Sequence, residues 1–448
     1  MPTNHPHIVI LGAGESGVGA ALLAQSKGLE VFVSDSRPIQ TAVKMELDQA
    51  GIPWEEGRHS TEKILQADEV VKSPGIAEQT PIMLSLRAAR IPVIAEIELA
   101  YRYHGDGKII AITGTNGKTT TTALTGHMFA TAGLKAACVG NIGVSFARQV
   151  ATAPVDYYIV EVSSFQLDDI QTFRPDVSVL LNITADHLDR YGYQMDRYAA
   201  AKFNITRNQQ ATDHFVYCQD DPLIRKYLAY TPIQSTQIPF SIMESLPKGG
   251  YLENDKMHIK LAEDFSIPLF ELALKGRHNI YNSMAASISS RTMGIRNSAI
   301  RESLTSFEGV AHRMEFVAAV RGVTYINDSK ATNINSVWFS LENMNTPVIL
   351  IMGGVDKGND YSIIKELVAE KVKAIICLGT DNRRIHEALS DSVGVMMDTQ
   401  SMKDAVKAAF MLAEKEDVVL LSPACASFDL FNNYEDRGLQ FIEAVKNL

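Results

Sequence analysis

Residues 111–124, AITGTNGKTTTTAL, hold the groups best suited to phosphate chemistry. An apolar strand ends, a glycine-rich turn follows, and Lys118-Thr119 open a helix. Backbone N–H groups of such a turn converge on phosphate oxygens, and the helix N-terminus adds its positive end. Lys118 would reach the β/γ-phosphates, and the Thr119 hydroxyl would meet Mg2+. Gly114 stands only three residues before Gly117, so the usual GxxxxGK[ST] spacing is not met. The plainer reading is an ordinary strand-to-helix turn capped by Thr.

Downstream, YYIVEVSSFQL delivers Glu161 at the end of an apolar strand, where a carboxylate beside a phosphate loop would hold Mg2+. LLNITADHLDRYG places His187 and two acids past another strand, the edge at which α/β sheets bind ligands. YAAAKFNI follows with Lys202; on its residues alone it reads as a surface lysine snorkelling from an apolar helix face.

Two further regions have comparable chemistry. IVILGAGESGVGA runs a strand into Gly12-x-Gly14-x-x-Gly17 and a small-residue helix, with Asp35 ending VFVSD. That is the dinucleotide fingerprint, and by itself it says NAD. Toward the C-terminus, GVAHRMEF offers His312 and Arg313, YINDSKATN offers Asp328, Lys330 and Thr332, MGGVDKGND offers Lys357, and LLSPACASFDLFNNYEDRG offers Ser427. Arg presents a forked donor to phosphate or carboxylate. Each of these residues has a bland reading as turn, cap or solvated charge; their shared place at strand ends makes the set more telling than its members.

The elements that must position these residues alternate along the chain. HIVILG, LEVFVSD and EVVKSPGI read as strands, closed by a helical stretch PVIAEIELAYRYHGDG. KIIAITG, DYYIVEVSS and DVSVLLNIT begin a second series. Residues 211–274 alternate polar and apolar, as in KMHIKLA, and predict hairpins. GVTYINDS, PVILIMGG, VKAIICLG and DVVLLSPA form a third series. The pattern predicts an α/β protein of three domains, 1–96, 97–309 and 310–448, built largely on parallel sheets.

The 448 residues suffice for three cores. A net charge of -10 argues against nucleic acid as the main partner, though not against a phosphorylated small molecule. Four scattered cysteines form no CxxC pair and fit reduced thiols. MPTNHPH lacks the marks of a signal peptide, and no apolar run approaches the roughly 18 residues of a membrane span. A cytoplasmic protein is expected.

GTNGKTTT, EVSSFQL, LNITADHLDRYG, GRHNIYN, HRME, NDSKATN and SPACASFD, in this order, resemble the Mur ligases of peptidoglycan synthesis along essentially the whole chain. The Rossmann-like first series and SPACASFDLFNNYEDRG favour the branch that adds D-glutamate. The resemblance implies a Rossmann-like UDP-binding domain, a central P-loop ATPase-like domain and a C-terminal Rossmann-like ligase domain. It implies a short GTNGK[ST] phosphate loop, with Gly114, Thr115, Asn116, Gly117, Lys118, Thr119 and Thr120 on ATP. Asn279, Asn282, His312, Arg313, Asp328 and Lys330 would lie around the nucleotide. Thr119, Glu161, His187 and Lys202 would hold two Mg2+ ions, with Lys202 carbamylated into a carboxylate-like ligand. Lys118, His187, Lys202 and Arg313 would carry catalysis. Thr332, Lys357, Ser427, Phe428 and Tyr434 would surround D-glutamate. Ser16, Gly17, Asp35, Ser36, Arg37, Ser73, Gly75, Asn141 and Gln166 would hold UDP-N-acetylmuramoyl-L-alanine. Tyr434 stands where the D-glutamate ligases resembled carry Phe, and Asp356 where some carry Gly.

The implied reaction activates the L-alanine carboxylate as an acyl phosphate, which the D-glutamate amine attacks. With residues spread over three domains, closure on nucleotide binding is expected, as is a monomer. The rivals are a sister ligase adding L-alanine or a folylpolyglutamate-type synthase, an NAD-dependent dehydrogenase, and a nucleotide-binding regulator without turnover.

Overall fold

The computed structural model describes residues 6–448. The chain forms two compact units, the first ending at Phe307 and the second running Glu308–Leu448.

The first unit holds two sheets. One comprises β1 (His7–Leu11), β2 (Glu30–Asp35), β3 (Trp54–Glu56), β4 (Glu69–Lys72) and β5 (Val93–Ala95), all parallel in the order β3-β2-β1-β4-β5. The other comprises β6 (Lys108–Thr113), β7 (Ala136–Gly140), β8 (Tyr157–Glu161), β9 (Val177–Leu180), β10 (His214–Cys218), β11 (Thr236–Ser241), β12 (Gly249–Glu253), β13 (Lys256–Lys260) and β14 (Asp264–Pro268). Its order is β14-β13-β12-β11-β10-β9-β6-β8-β7, parallel as far as β12 and antiparallel across β12–β14. The hairpins expected within 211–274 are these last three strands.

Strand order decides where ligands fit. β1 lies between β2 and β4, and β6 lies between β8 and β9. At such switch points the connections leave on opposite sides, opening a crevice past the carboxyl ends of the strands. Both glycine-rich turns begin there.

An apolar core runs from the first sheet into the second, joining Val18, Leu23 and Ile97 to Phe146, Tyr158 and Phe173. The helices Glu15–Ser26 and Phe146–Thr152 meet closely: a Cβ on Gly19 would stand 2.0 Å from Ser145 Oγ. Buried Glu98 accepts the backbone N–H groups of Gln171, Thr172 and Phe173, tying the helix Glu96–Tyr103 to the central sheet.

The second unit is one sheet of β15 (Glu315–Val320), β16 (Val323–Asn327), β17 (Val348–Gly353), β18 (Val372–Leu378), β19 (Val395–Thr399) and β20 (Val418–Ala424). Its order is β15-β16-β20-β17-β18-β19, antiparallel only between β15 and β16. The central strands VILIMG and VVLLSPA are buried along their whole length, which is why they read as continuous apolar runs.

The three-series α/β reading holds. One stretch differs: residues 93–106 open with β5 before the helix Glu96–Tyr103 begins. A three-residue strand leaves too short a run to separate from the helix that follows. Among the described residues no helix is long and apolar enough to cross a membrane, and all four cysteines are free thiols.

Candidate active site

The turn after β6 is built from backbone that only glycine adopts easily. Gly114 has φ 151° and Gly117 φ 84°. A Cβ on Gly117 would come within 2.3 Å of Asn282 Oδ1. Gly117 caps the helix Lys118–Thr131 in place of a threonine side chain. The loop is pinned from β9's extension: Thr115 N–H donates to the Asn182 carbonyl at 3.0 Å, and Asn116 N–H to Asn182 Oδ1 at 2.9 Å.

Side chains converge on this turn from four elements. Lys118 Nζ donates to the carbonyls of Gly114 and Thr115, each at 2.8 Å. Lys202 Nζ donates to the same Gly114 carbonyl at 2.9 Å. Thr119 Oγ1 donates to Glu161 Oε2 at 2.7 Å, while Asn141 Nδ2 holds Glu161 Oε1 at 3.0 Å. Asn282, buried in the helix Arg277–Thr292, accepts from Thr121 Oγ1 and donates to Asn279 Oδ1. The Thr120 hydroxyl is buried without a hydrogen-bond partner.

Lys202 corrects the snorkelling expectation. It is 2% exposed, and its Nζ lies 4.6 Å from the centre of the Tyr198 ring. Burial, with Lys118 nearby, pushes its pKa well below that of an ordinary lysine. The helix bearing it, Met195–Phe203, packs inward over the phosphate loop, which a composition-based reading of YAAAKF does not reveal.

His187 is half-buried, with left-handed backbone at φ 51°, edge-on to Phe165 and 3.8 Å from Asp186. Three residues on, Arg190 stacks over the other flank of that site, 4.5 Å from the Phe165 ring centre. Its guanidinium donates to the carbonyls of Pro74, Gly75 and Ile76, joining the His187 loop to the turn after β4. Asp168 accepts from Tyr191, and burial raises its pKa to about 6.

The turn after β1 has another character. A Cβ on Gly17 would collide with the Gly12 carbonyl at 1.9 Å, and one on Gly12 with Ser73 Oγ at 2.6 Å. Asp35, at the end of β2, accepts the N–H groups of Ala13 at 2.8 Å and Arg37 at 2.9 Å. Ser16 is half-buried, Ser36 and Arg37 are exposed, and the Ser73 hydroxyl is buried without a partner. Glu15, in the first turn of the helix, pairs with Arg148 of the central sheet's layer at 2.8 Å. Asp35 and Glu15 thus stand at the turn, while Lys72, at the end of β4 beside Leu11, is engaged by Asp169 at 2.6 Å and Glu78 at 2.8 Å. Gln166 lies apart from it, closing a capping box with Ser163, and its buried Nε2 has no partner.

In the second unit the residues past β16 and β20 cluster. Buried Asp328 accepts from Ser340 at 2.5 Å, Ser422 at 3.0 Å and the Met314 N–H at 3.2 Å. Burial raises its pKa, and Arg313 opposes the rise. His312, left-handed at φ 61°, pairs Nδ1 with Asn327 Nδ2 at 2.9 Å. Lys330 Nζ donates to Tyr434 OH at 3.1 Å, and the Thr332 N–H bonds the Lys330 carbonyl. Ser427 is buried, whereas Lys357 and Phe428 are exposed. Asp356 accepts from Gly358, Asn359, Tyr361 and Arg384, so its carboxylate shapes the 353–359 turn.

Sequence reasoning missed Arg437. It is 1% exposed and donates to Ser329 Oγ, the Ser329 carbonyl and the Cys425 carbonyl, holding the NDSK and SPAC turns together. Burial lowers its pKa to about 10. It follows Glu435 and Asp436 in the polar opening YEDRG of the final helix, where an arginine reads as a solvated charge. Asn182 and Arg190 were missed likewise, since loop residues give no periodicity.

Comparison with known families agrees with this layout. Residues 6–95 match the Mur ligase MurD-like N-terminal domain, residues 112–290 the Mur ligase middle domain, and residues 312–425 the Mur ligase glutamate ligase domain. The UDP-N-acetylmuramoylalanine--D-glutamate ligase of Bacteroides fragilis is 52% identical over 98% of this chain and 99% of its own. Its namesake from Porphyromonas gingivalis is 51% identical over 98% of both. Among solved structures, the UDP-N-acetylmuramate-alanine ligase of Thermotoga maritima superposes with a TM-score of 0.63 at 19% identity, covering 99% of this chain and 100% of its own.

Proposed function

The chain belongs to the Mur ligase family, and we propose that it joins D-glutamate to UDP-N-acetylmuramoyl-L-alanine, with ATP converted to ADP and phosphate. This ATP-dependent amide-bond formation serves peptidoglycan precursor synthesis. The observation that carries the reading is the meeting of Lys118, Lys202, Thr119, Glu161 and Asn141 at one glycine-rich turn. An NAD-dependent dehydrogenase would have no use for that cluster, and the relatives overturn this rival.

A carboxylate is a poor electrophile, because attack must expel an oxide-like group. Transfer of the γ-phosphoryl to the L-alanine carboxylate gives an acyl phosphate, from which phosphate departs when the amine of D-glutamate attacks. Phosphoryl transfer needs positioning and charge compensation above all. The N–H groups of the first helical turn, from Lys118 on, and the Lys118 ammonium supply both for ATP, and Lys118 exchanges its carbonyl partners for phosphate oxygens. Arg313 is assigned to the nucleotide, and Lys330, Thr332, Lys357, Ser427, Phe428 and Tyr434 to the D-glutamate pocket and its margin. Ser16, Gly17, Asp35, Ser36, Arg37, Ser73 and Gly75 are assigned to the UDP handle.

The donors at Thr119 and Glu161 are hard oxygens already in contact, which suits Mg2+. Thr119, Glu161, His187 and a carboxylated Lys202 would hold such ions, which when bound neutralise phosphate charge. A lysine kept neutral by burial is a nucleophile toward CO2, forming a carbamate with release of one proton. Lys202→Ala should lose nearly all ligation, with partial return on adding a short-chain carboxylate; full activity in the variant would remove the carbamate role. The anionic substrates and free thiols suit a cytoplasmic enzyme.

The test of function is phosphate release with ATP, UDP-N-acetylmuramoyl-L-alanine and amino acids of both hands. D-glutamate alone should sustain turnover. Turnover with L-alanine on the unsubstituted sugar would mark a sister ligase instead.

A further inference from the structure

Beyond the 353–359 turn, the outer edge of the C-terminal sheet gathers three metal-binding side chains, none of them assigned to the reaction. Cys377 ends β18, Asp398 lies near the end of β19, and His386 comes from the helix Arg383–Leu389 that joins them. Their ligand atoms all lie within 4.8 Å of one another. His386 and Asp398 line a cavity of about 930 Å3 together with Gly379, Thr380 and Asn382, and Cys377 is buried in the core beneath them.

We propose that Cys377, His386 and Asp398 form a binding site for a zinc-like divalent cation, which clamps β18, β19 and their connecting helix together. The donor set is one sulfur, one imidazole nitrogen and one carboxylate oxygen, the combination that borderline-soft Zn2+ prefers and Mg2+ avoids. A thiolate and a carboxylate together cancel the charge of the ion. Three protein ligands leave a fourth position open to water from the cavity.

The spacing suits the ion. Zinc–ligand bonds of about 2.0–2.3 Å place tetrahedral ligand atoms roughly 3.5 Å apart. His386 Nε2 and Asp398 Oδ2 now stand 2.9 Å apart in a hydrogen bond, so they need only a slight separation. Asn382 Nδ2 donates to the other oxygen, Asp398 Oδ1, at 2.9 Å, leaving Oδ2 for the ion and fixing the carboxylate's orientation. The neighbouring Arg383 is paired with Asp381 at 2.6 Å, which offsets the nearest positive charge.

Binding balances as the gain of Zn2+ and the loss of the thiol proton to solvent. A bound cation favours the thiolate over the thiol, as it does for any coordinating thiol. The thiol is fully buried, whereas Asp398 is exposed and the His386 side chain is 37% accessible, so an ion meets the two outer ligands first.

The experiment titrates the full-length, metal-stripped chain with Zn2+, and separately with Co2+, whose thiolate complexes absorb in the near ultraviolet. We expect one equivalent of cobalt to give a thiolate-to-metal band that excess Zn2+ abolishes. Cys377→Ser should remove the band and His386→Ala should weaken binding at least tenfold, while Cys138→Ser changes neither. The donors assigned to Mg2+ contain no sulfur, so cobalt taken up there gives no such band. Ligation by Cys377→Ser with Mg2+ should match the unaltered chain. No band at stoichiometric cobalt, or a band that survives in Cys377→Ser, overturns the proposal and leaves a His–Asp pair beside an inert thiol.

Discussion

The two glycine-rich turns of the first unit share a backbone plan and differ in charge. Each follows the strand at a switch point, and each contains glycines that a Cβ would spoil, Gly17 against the Gly12 carbonyl and Gly117 against Asn282. At the turn after β6, the side chains of Lys118 and Lys202 both donate to the Gly114 carbonyl. At the turn after β1, Asp35 takes the Ala13 N–H and Glu15 stands in the first helical turn. Backbone geometry therefore says that a nucleotide fits; the side chains around it say whether the turn can also drive phosphoryl transfer. The first turn suits a ligand that is held, the second one that reacts.

The largest effect should come from removing the cation of the reactive turn. Lys118→Ala should lower kcat by about 10³-fold, the scale of losing a preorganised charge at the transition state. UDP should still compete for the holding turn in that variant, as inhibition of residual turnover would show. Loss of both properties together would erase the distinction between the turns.

The joint between the two sheets gives the next effect. Glu96 is 1% exposed, accepts the Ala147 N–H, and burial raises its pKa from 4.5 to about 7. Between those values the folded chain keeps a proton that the unfolded chain has released, so stability falls as pH rises through this window. The full penalty above pH 7 is about 3 kcal/mol. Glu96→Gln should flatten this dependence and raise the unfolding midpoint at pH 8; an unchanged pH profile of denaturant unfolding would count against a buried neutral Glu96.

On the holding turn, Asp35→Ala should raise KM for the UDP substrate by roughly tenfold or more, the loss of a charge-assisted hydrogen bond, with kcat nearly unchanged. A fall in kcat instead would mean that the first turn takes part in the chemistry. The smallest effect belongs to the second unit. Tyr434→Phe removes the hydroxyl that Lys330 donates to, and should change KM for D-glutamate by only about two- to fivefold.

The sequence made this comparison partly legible. Strands such as VILIMG and KIIAIT were readable because burial on both faces leaves unbroken apolar runs. The GTNGKTT turn was readable because its residues are contiguous. Lys202 was readable only through the family resemblance: its helix turns it inward, and nothing in YAAAKF tells a buried lysine from a snorkelling one. Arg190 and Arg437 act through carbonyls distant in sequence, a pairing that no local pattern encodes. The GxGxxG fingerprint showed the fold of the first turn and suggested a dehydrogenase, which the relatives overturn. Glycine spacing reports backbone approach to phosphates, not what hangs from them.

Inhibition kinetics of ligation test the division of labour between the turns most directly. UDP should compete with UDP-N-acetylmuramoyl-L-alanine but not with ATP, an unreactive ATP analogue should compete with ATP alone, and NAD should do neither. Competition by NAD against the UDP substrate, or by UDP chiefly against ATP, would contradict the assignment of the holding turn to one ligand and the reactive turn to the other.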